Sequence, residues 1–159
     1  MFREMRRFKQ QVSADECRRI LREEKRAAFS VLGDDGYPYT VPINFFYDEP
    51  DNRIYFHGAK EGHKIDAIKK CDKACFAVWN QGFKEENRWE WNATSVIVFG
   101  RVKFVTDADA AEKYLRKLAE KYYPTADDVE KGMASTSFEL VQMLEIEIEH
   151  MTGKLVKEK

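Results

Sequence analysis

The chain alternates between apolar and polar positions in several short segments, a pattern typical of β-strands with one buried face. Six segments have this character, namely residues 27–32, 39–47, 53–56, 73–79, 95–105 and 144–149. The last alternates strictly between apolar residues and glutamates, which predicts one buried and one solvent-facing side. Turn-forming residues at 33–36 and 48–52 join the first three segments into two antiparallel hairpins.

Helical periodicity predicts helices before and between these strands. Residues 13–25 begin with Ser13, and Glu16 follows at the spacing of a capping box. Three further helices are predicted to begin after Lys64, near Asp107 and at Thr125, the last of them ending at Gly132. Mostly antiparallel strands in a short chain favour a sheet that closes into a barrel. The predicted class is therefore mainly β with flanking helices.

Two residues inside predicted strands indicate irregular pairing. Pro42 lies within segment 39–47 and has no backbone N–H to donate, so the strand there must be an edge strand or carry a bulge. A bulge would leave neighbouring amide groups free to bind a ligand. Gly100 lies within segment 95–105, where a glycine indicates a bend or a bulge.

The segment after the third predicted strand has the layout of a phosphate-binding turn. Gly58 and Gly62 allow the backbone to approach a ligand closely, and unpaired amides at the start of the next helix favour an anion. Lys64 and His63 add positive charge at the same place. The segment is not a nucleoside-triphosphate loop, because Ile65 stands where that motif needs a hydroxyl. An ordinary tight turn explains the local pattern equally well.

Residues 80–94 interrupt the strand pattern and hold Phe83, Trp89 and Trp91 among charged side chains. Such a segment exposes apolar area unless it packs against something. Two interpretations remain open. The segment is either a cover over a flat ligand, or a loop that folds back on the barrel or forms a subunit contact.

Composition places the chain among folded, globular proteins. Its 159 residues are 43% hydrophobic and 13% aromatic, which suits one domain spanning 1–159. The 27 basic and 28 acidic residues give no electrostatic reason to expect nucleic acid or an anionic membrane as a partner. No apolar run reaches the roughly 18 residues of a membrane span. The charged N-terminus lacks a signal sequence, so the cytoplasm is the expected compartment.

The cysteines do not form a recognisable framework. Cys17, Cys71 and Cys75 are three in number and contain no C-x-x-C spacing, which argues against disulfides. With His57 and His63 they match no common zinc pattern. Reduced thiols and no metal site are therefore expected.

The order and spacing of these motifs resemble the pyridoxamine 5'-phosphate oxidase-related FMN-binding proteins. Within that family they resemble the 5-nitroimidazole-reductase-like branch, which includes nitroimidazole resistance proteins. The resemblance is carried by residues 36–42, 54–59 and 62–64, with support from 5–7, 95–100 and 151–154. It implies a six-stranded antiparallel FMN-binding split barrel that works as a homodimer with flavin at the subunit interface.

The resemblance also implies roles for individual residues. Lys64, helped by His63 and the turn at Gly58 and Ala59, would hold the flavin phosphate. The isoalloxazine ring would be met mainly through the backbone by Tyr39, Thr40, Val41, Pro42 and Asn44, and a polar contact would come from Ser95. His57 lies where relatives have a histidine near the ring. It would orient a substrate or supply a proton after hydride transfer, unless it only forms a hydrogen bond to the barrel wall or to the phosphate.

The implied activity is an FMN-dependent oxidoreductase that reduces a small planar acceptor such as a nitroaromatic (a nitroimidazole) or a quinone. Pyridoxamine phosphate is not expected as the substrate, because the arginine and histidine that relatives place near the C-terminus have no counterpart in residues 150–154. Two alternatives remain. One is a non-catalytic flavin- or haem-binding protein, with His57, His63 or His150 as the iron ligand. The other is a reductase that uses the deazaflavin F420.

Overall fold

Strands outnumber helices within residues 1–157, which the computed structural model of this protein describes. The strands are β1 (Ala27–Leu32), β2 (Pro38–Ile43), β3 (Phe46–Asp48), β4 (Arg53–Ala59), β5 (Lys73–Trp79), β6 (Phe83–Lys84), β7 (Trp91–Phe104) and β8 (Val141–Val156). The helices are α1 (Ala14–Glu23), α2 (His63–Lys70), α3 (Ala108–Tyr122) and α4 (Ala126–Ser135). Short 3₁₀ turns occupy Phe8–Gln10 and Asp34–Gly36.

The sheet follows the antiparallel order β2-β1-β5-β7-β8-β4-β3, with β6 paired to the start of β7. A flat path of seven strands at a spacing of about 4.8 Å would separate its outer strands by nearly 30 Å. The outer strands are β2 and β3, and they are joined directly through Asn44 and Phe45, a link of only about 10 Å. The sheet must therefore curl on itself, which confirms the expected barrel-like fold class.

The predicted strand 39–47 is two strands, and this accounts for part of the difference between six predicted and eight observed strands. β2 pairs with β1 at one edge, whereas β3 pairs with β4 at the other. Between them Phe45 is fully buried, and the Tyr122 hydroxyl bonds its backbone N and O at 2.8 and 3.0 Å. A side chain from α3 thus satisfies the polar groups that the strand would otherwise have paired.

The remaining differences lie at element boundaries. β7 and β8 both extend beyond the predicted segments, and β6 with the first residues of β7 forms a small hairpin inside the predicted loop 80–94. Gly132 does not end the fourth helix, because α4 continues to Ser135. Gly132 is needed for packing instead, since an added Cβ would collide with the ring of Tyr123.

Two predictions about irregular pairing are confirmed. β2, which contains Pro42, is an edge strand and pairs with β1 alone within residues 1–157. Gly100 marks a register shift between β7 and β8. The first helix also begins as predicted, with the Ser13 side chain accepting a hydrogen bond from the Glu16 backbone N–H at 3.1 Å.

Two apolar clusters lie on opposite sides of the sheet. One fills the inside of the curl with fully buried Phe29, Phe56 and Phe76, and α1 and α2 pack against it. The other lies between β4 and the helices α3 and α4, where the rings of Tyr55 and Tyr114 stack 3.6 Å apart. Alternation along β4 therefore points Phe56 inward and Tyr55 toward α3 and α4.

In the chain up to residue 157, no helix is long and apolar enough to cross a membrane.

Candidate functional site

The turn between β4 and α2 exposes backbone donors to an anion. Gly62 has φ 118° and ψ 171°, a conformation that is strained for any residue with a Cβ. α2 starts directly after it, at His63, and no side chain caps this helix end. The first N–H groups of α2 are therefore left for solvent or a ligand.

Lys64 supplies a cation at this turn without a balancing carboxylate. Its side chain is half-buried, and within residues 1–157 no carboxylate oxygen lies within 4.0 Å of its ammonium group. Burial lowers the pKa of Lys64. The Nζ atom lies 5.8 Å from the centre of the Phe56 ring. A Cβ placed on Gly58 would lie only 2.7 Å from the Lys64 Nζ atom, so the absence of a side chain at Gly58 leaves space for the lysine.

The ring of His63 contacts residues in and around the first hairpin. It packs on Tyr39, with the two ring centres 4.0 Å apart. Its Nε2 atom lies 3.6 Å from the Asp34 carboxylate, which also accepts a hydrogen bond from Lys70 at 2.9 Å. The structure therefore brings Tyr39 and His63 together as predicted site residues, and it places the His63 ring beside a carboxylate.

β2 presents its backbone rather than most of its side chains. Tyr39 and Val41 pack against the core inside the sheet, whereas Thr40 and Pro42 are exposed on the outer face. The Thr40 hydroxyl lies 2.8 Å from that of Ser30 on β1. Because β2 is an edge strand, about half of its backbone N–H and C=O groups point away from β1 and can meet a ligand.

Ser95 lies on the same outer face but far along the sheet from His57. It stands between Trp79 on β5 and Lys154 on β8. His57 is opposite Met143, eleven residues earlier on β8 than Lys154, which is about 35 Å of extended strand. In the described chain Ser95 and His57 therefore do not share a pocket.

His57 lies on the helix-covered side of β4, two residues after Tyr55, and opposite in direction to Gly58. With Asn44 it lines a cavity of about 170 Å³ whose other walls are mainly α3 and α4. Burial first, and then the positive charge of Lys64, lower the pKa of His57. The residue is nevertheless exposed, and in its neutral form one ring nitrogen can accept a hydrogen bond while the other donates.

The walls of this cavity were not among the predicted site residues. The apolar stripe of α3 showed which face of that helix is buried, but not that this face meets His57. The aromatic residues Phe83, Trp89 and Trp91 do not line the cavity. They lie near the start of β7, where the Trp91 indole donates to the Gln81 carbonyl at 3.2 Å. In one chain they cannot bound the pocket at His57.

In the described part of the chain, no group of three or more His, Cys, Asp and Glu side chains is placed to hold a metal ion. Cys17 is buried, and Cys71 and Cys75 are partly exposed, all as free thiols.

Comparison with known proteins identifies one family. A family model described as pyridoxamine 5'-phosphate oxidase matches residues 13–155. No curated protein matches the chain at a significant level.

Several solved structures share the fold. A candidate 5-nitroimidazole antibiotic resistance protein from Bacteroides thetaiotaomicron has a TM-score of 0.76 at 19% identity, covering 92% of this chain and 87% of its own. A conserved hypothetical protein from Mycobacterium tuberculosis has a TM-score of 0.77 at 13% identity, covering 96% and 90%. A FAD-binding protein from Mesorhizobium loti has a TM-score of 0.63 at 23% identity, covering 92% and 96%. At these identities the likeness concerns the fold.

Proposed function

The chain belongs to the pyridoxamine 5'-phosphate oxidase family, and from this premise we propose that it is an FMN-dependent oxidoreductase. Its acceptor is a small planar molecule such as a nitroaromatic or a quinone. The observation that carries the proposal is the half-buried Lys64 ammonium, which has no carboxylate within 4.0 Å in the described chain. A partly desolvated cation without a counterion is costly unless an anion completes the site.

The residues at the turn fit a phosphate monoester. Lys64 offers a charge-assisted hydrogen bond, and the uncapped start of α2 offers backbone N–H groups beside it. Gly58 keeps the space that the ammonium group occupies. One lysine and one helix terminus match the single terminal phosphate of FMN. Since the Mesorhizobium loti relative is a FAD-binding protein, the test below includes both flavins.

A bound flavin supplies hydride and single-electron transfer. The chain supplies the surroundings. The free backbone edge of β2 offers donors and acceptors to a ring, and Thr40 and Pro42 lie on its exposed side. His57 lines the neighbouring cavity, and a proton for the reduced acceptor would come from the protonated fraction of its imidazole. Asn44 is the residue directly after β2, and it lines the same cavity as His57. The free edge of β2 and the cavity are therefore neighbours.

The proposed assembly is a homodimer formed through the outer face of the sheet. Leu32, Trp79 and Phe99 are 52%, 55% and 40% exposed on β1, β5 and β7, and small side chains such as Ala77 lie between them. An apolar sheet face of this kind favours a self-complementary twofold contact. Ala77→Glu is expected to give monomers in sedimentation at micromolar concentration. A dimeric Ala77→Glu variant contradicts this choice of interface.

The proposed activity is tested with purified protein titrated separately with FMN, FAD, F420 and haem, followed by absorbance. The FMN complex is then reduced anaerobically and mixed with nitroimidazole, a quinone or pyridoxamine phosphate in a stopped-flow instrument. We expect FMN to bind most tightly and to be reoxidised by the nitroimidazole or the quinone. Preferred binding of haem or F420, or no reoxidation by any acceptor, contradicts the proposal.

A further inference from the structure

The cavity beside His57 is partly open to solvent, and apolar residues of α3 and α4 form much of its wall. Leu115, Leu118 and Ala119 come from α3, and Met133 comes from α4. These side chains pack in the cluster that includes Tyr55 and Tyr114, so the walls are held by the core of the helix layer. The cavity therefore has a fixed shape rather than the adaptable surface of a loop.

The cavity has hydrogen-bonding groups but no charged wall. Asn44, His57 and Thr136 are among its polar residues, and no Asp, Glu, Lys or Arg of the described chain lines it. Although His57 is exposed as a residue, desolvation of its imidazole and the nearby Lys64 lower its pKa. An anionic ligand would lose hydration in this space, and no cationic side chain of the described chain lines it.

The volume of the cavity indicates the size of the group that its walls can enclose. It measures about 170 Å³, and a protein cavity of about 150 Å³ is large enough to bind benzene. We propose that this cavity is a binding site for an uncharged molecule with a single planar ring, which packs against α3 and α4 and accepts or donates hydrogen bonds at Asn44 and His57. That this molecule is the electron acceptor rests on the proposed function; the binding itself does not.

The boundary of the cavity explains why a second ring is excluded. Leu115 and Val141 line both this cavity and a neighbouring groove of about 520 Å³. They form the partition between the two spaces. A two-ring molecule held entirely between the walls would have to displace this partition, whereas one ring fits between them.

Three probes separate size from charge, and none requires flavin or turnover. Nitrobenzene has one ring and no charge, 4-nitrobenzoate adds a charge, and 1-nitronaphthalene adds a ring. Dissociation constants are measured by following backbone amide resonances in ¹H–¹⁵N spectra, which also locate the bound molecule. We expect nitrobenzene to shift the signals of α3 and α4 around Ala119 and Met133. The other two probes should bind at least about tenfold more weakly.

Variants test the location. Ala119→Phe fills the cavity and should weaken nitrobenzene binding by about tenfold or more. The matched control is Ala134→Phe, which adds the same ring to an exposed position of α4 and should leave binding unchanged. Val141→Ala thins the partition and should reduce the preference for nitrobenzene over 1-nitronaphthalene. This variant keeps the test informative if Ala119→Phe does not fold.

Equal binding of nitrobenzene and 1-nitronaphthalene overturns the size argument, and equal binding of 4-nitrobenzoate overturns the charge argument. Nitrobenzene binding that survives in folded Ala119→Phe, or shifts confined to residues that do not line the cavity, overturns the location. An FMN titration of the same samples separates the two proposals. Nitrobenzene bound in the cavity of a protein that binds no flavin leaves the cavity proposal standing and overturns the proposed function alone.

Discussion

Replacing Lys64 with methionine removes the ammonium group at the turn after β4 and keeps a side chain of similar length. In the protein this ammonium is half-buried and has no carboxylate within 4.0 Å over residues 1–157. A phosphate at the turn would be its counterion. We therefore expect Lys64→Met to weaken FMN binding while the fold remains intact.

The magnitude follows from the strength of a charge-assisted hydrogen bond. Such a bond contributes about 1.5–3 kcal/mol, which is roughly a 10- to 150-fold change in the FMN dissociation constant. The free energy of unfolding without flavin should stay equal or rise, because the variant no longer buries an unpaired charge. This opposite response of binding and stability distinguishes a ligand-binding lysine from a structural one.

The assay is a titration of FMN fluorescence together with urea unfolding of the flavin-free protein. Lys69→Met is the matched control, because Lys69 is exposed on the same helix and its replacement changes the net charge equally. Gly58→Ala gives a second test of the same geometry. The added Cβ would lie 2.7 Å from Lys64 Nζ, and since the end of a lysine side chain can move, FMN affinity should fall with little loss of stability.

Two results would refute this reasoning. One is FMN affinity that is the same in wild type, Lys64→Met and Lys69→Met. The other is a loss of stability in flavin-free Lys64→Met that matches the loss of affinity, which would make Lys64 a structural residue.

Three further outcomes are expected. His57→Gln should slow the anaerobic reoxidation of the reduced flavin by a nitroaromatic roughly a hundredfold while flavin stays bound. Equal rates in wild type and variant would mean that His57 has only a structural role. Tyr114→Phe keeps the ring stack but removes the hydroxyl that donates to buried Asp48 at 3.0 Å. Urea unfolding should therefore show a free energy of unfolding that is lower by about 1–3 kcal/mol. An unchanged unfolding midpoint contradicts this. Burial lowers the pKa of Lys121 to about 8, against about 10.4 in an unfolded chain. Between these values the unfolded chain holds more protons, so stability rises with pH. Over this pH range the free energy of unfolding of the wild type should rise by about 1–2 kcal/mol relative to that of Lys121→Met, after allowance for the partial exposure of the side chain. A difference between the two proteins that does not change with pH refutes the lowered pKa.

The sequence by itself determined the local elements. Alternation with a period of two located the strands and the buried side of most of them, because successive side chains of a strand point to opposite faces. Turn residues located both hairpins, and Ser13 located the start of α1. The turn with Gly58, Gly62 and Lys64 was also located from sequence, because its residues are neighbours in the chain, whereas its role as a phosphate site stays a prediction.

Only the tertiary structure decided how distant segments meet. The break at Asn44 and Phe45 was not predicted, because the backbone there is satisfied by the Tyr122 hydroxyl from α3. The turn of the His63 ring toward Tyr39 and Asp34 depends on how the first hairpin folds against α2. The absence of a carboxylate near Lys64 over residues 1–157 likewise depends on every element packed around it.

The cavity at His57 shows the same division. Alternation along β4 determines that His57 and Gly58 point in opposite directions, and this is a local property of a strand. Which surface packs beside His57 is decided by α3 and α4, which begin about 50 and about 70 residues later in the chain. Their apolar stripes specify that they bury one face but not which part of the sheet they bury it against, because the hydrophobic effect is non-directional. The neighbours of His57 are therefore set by packing of the whole fold.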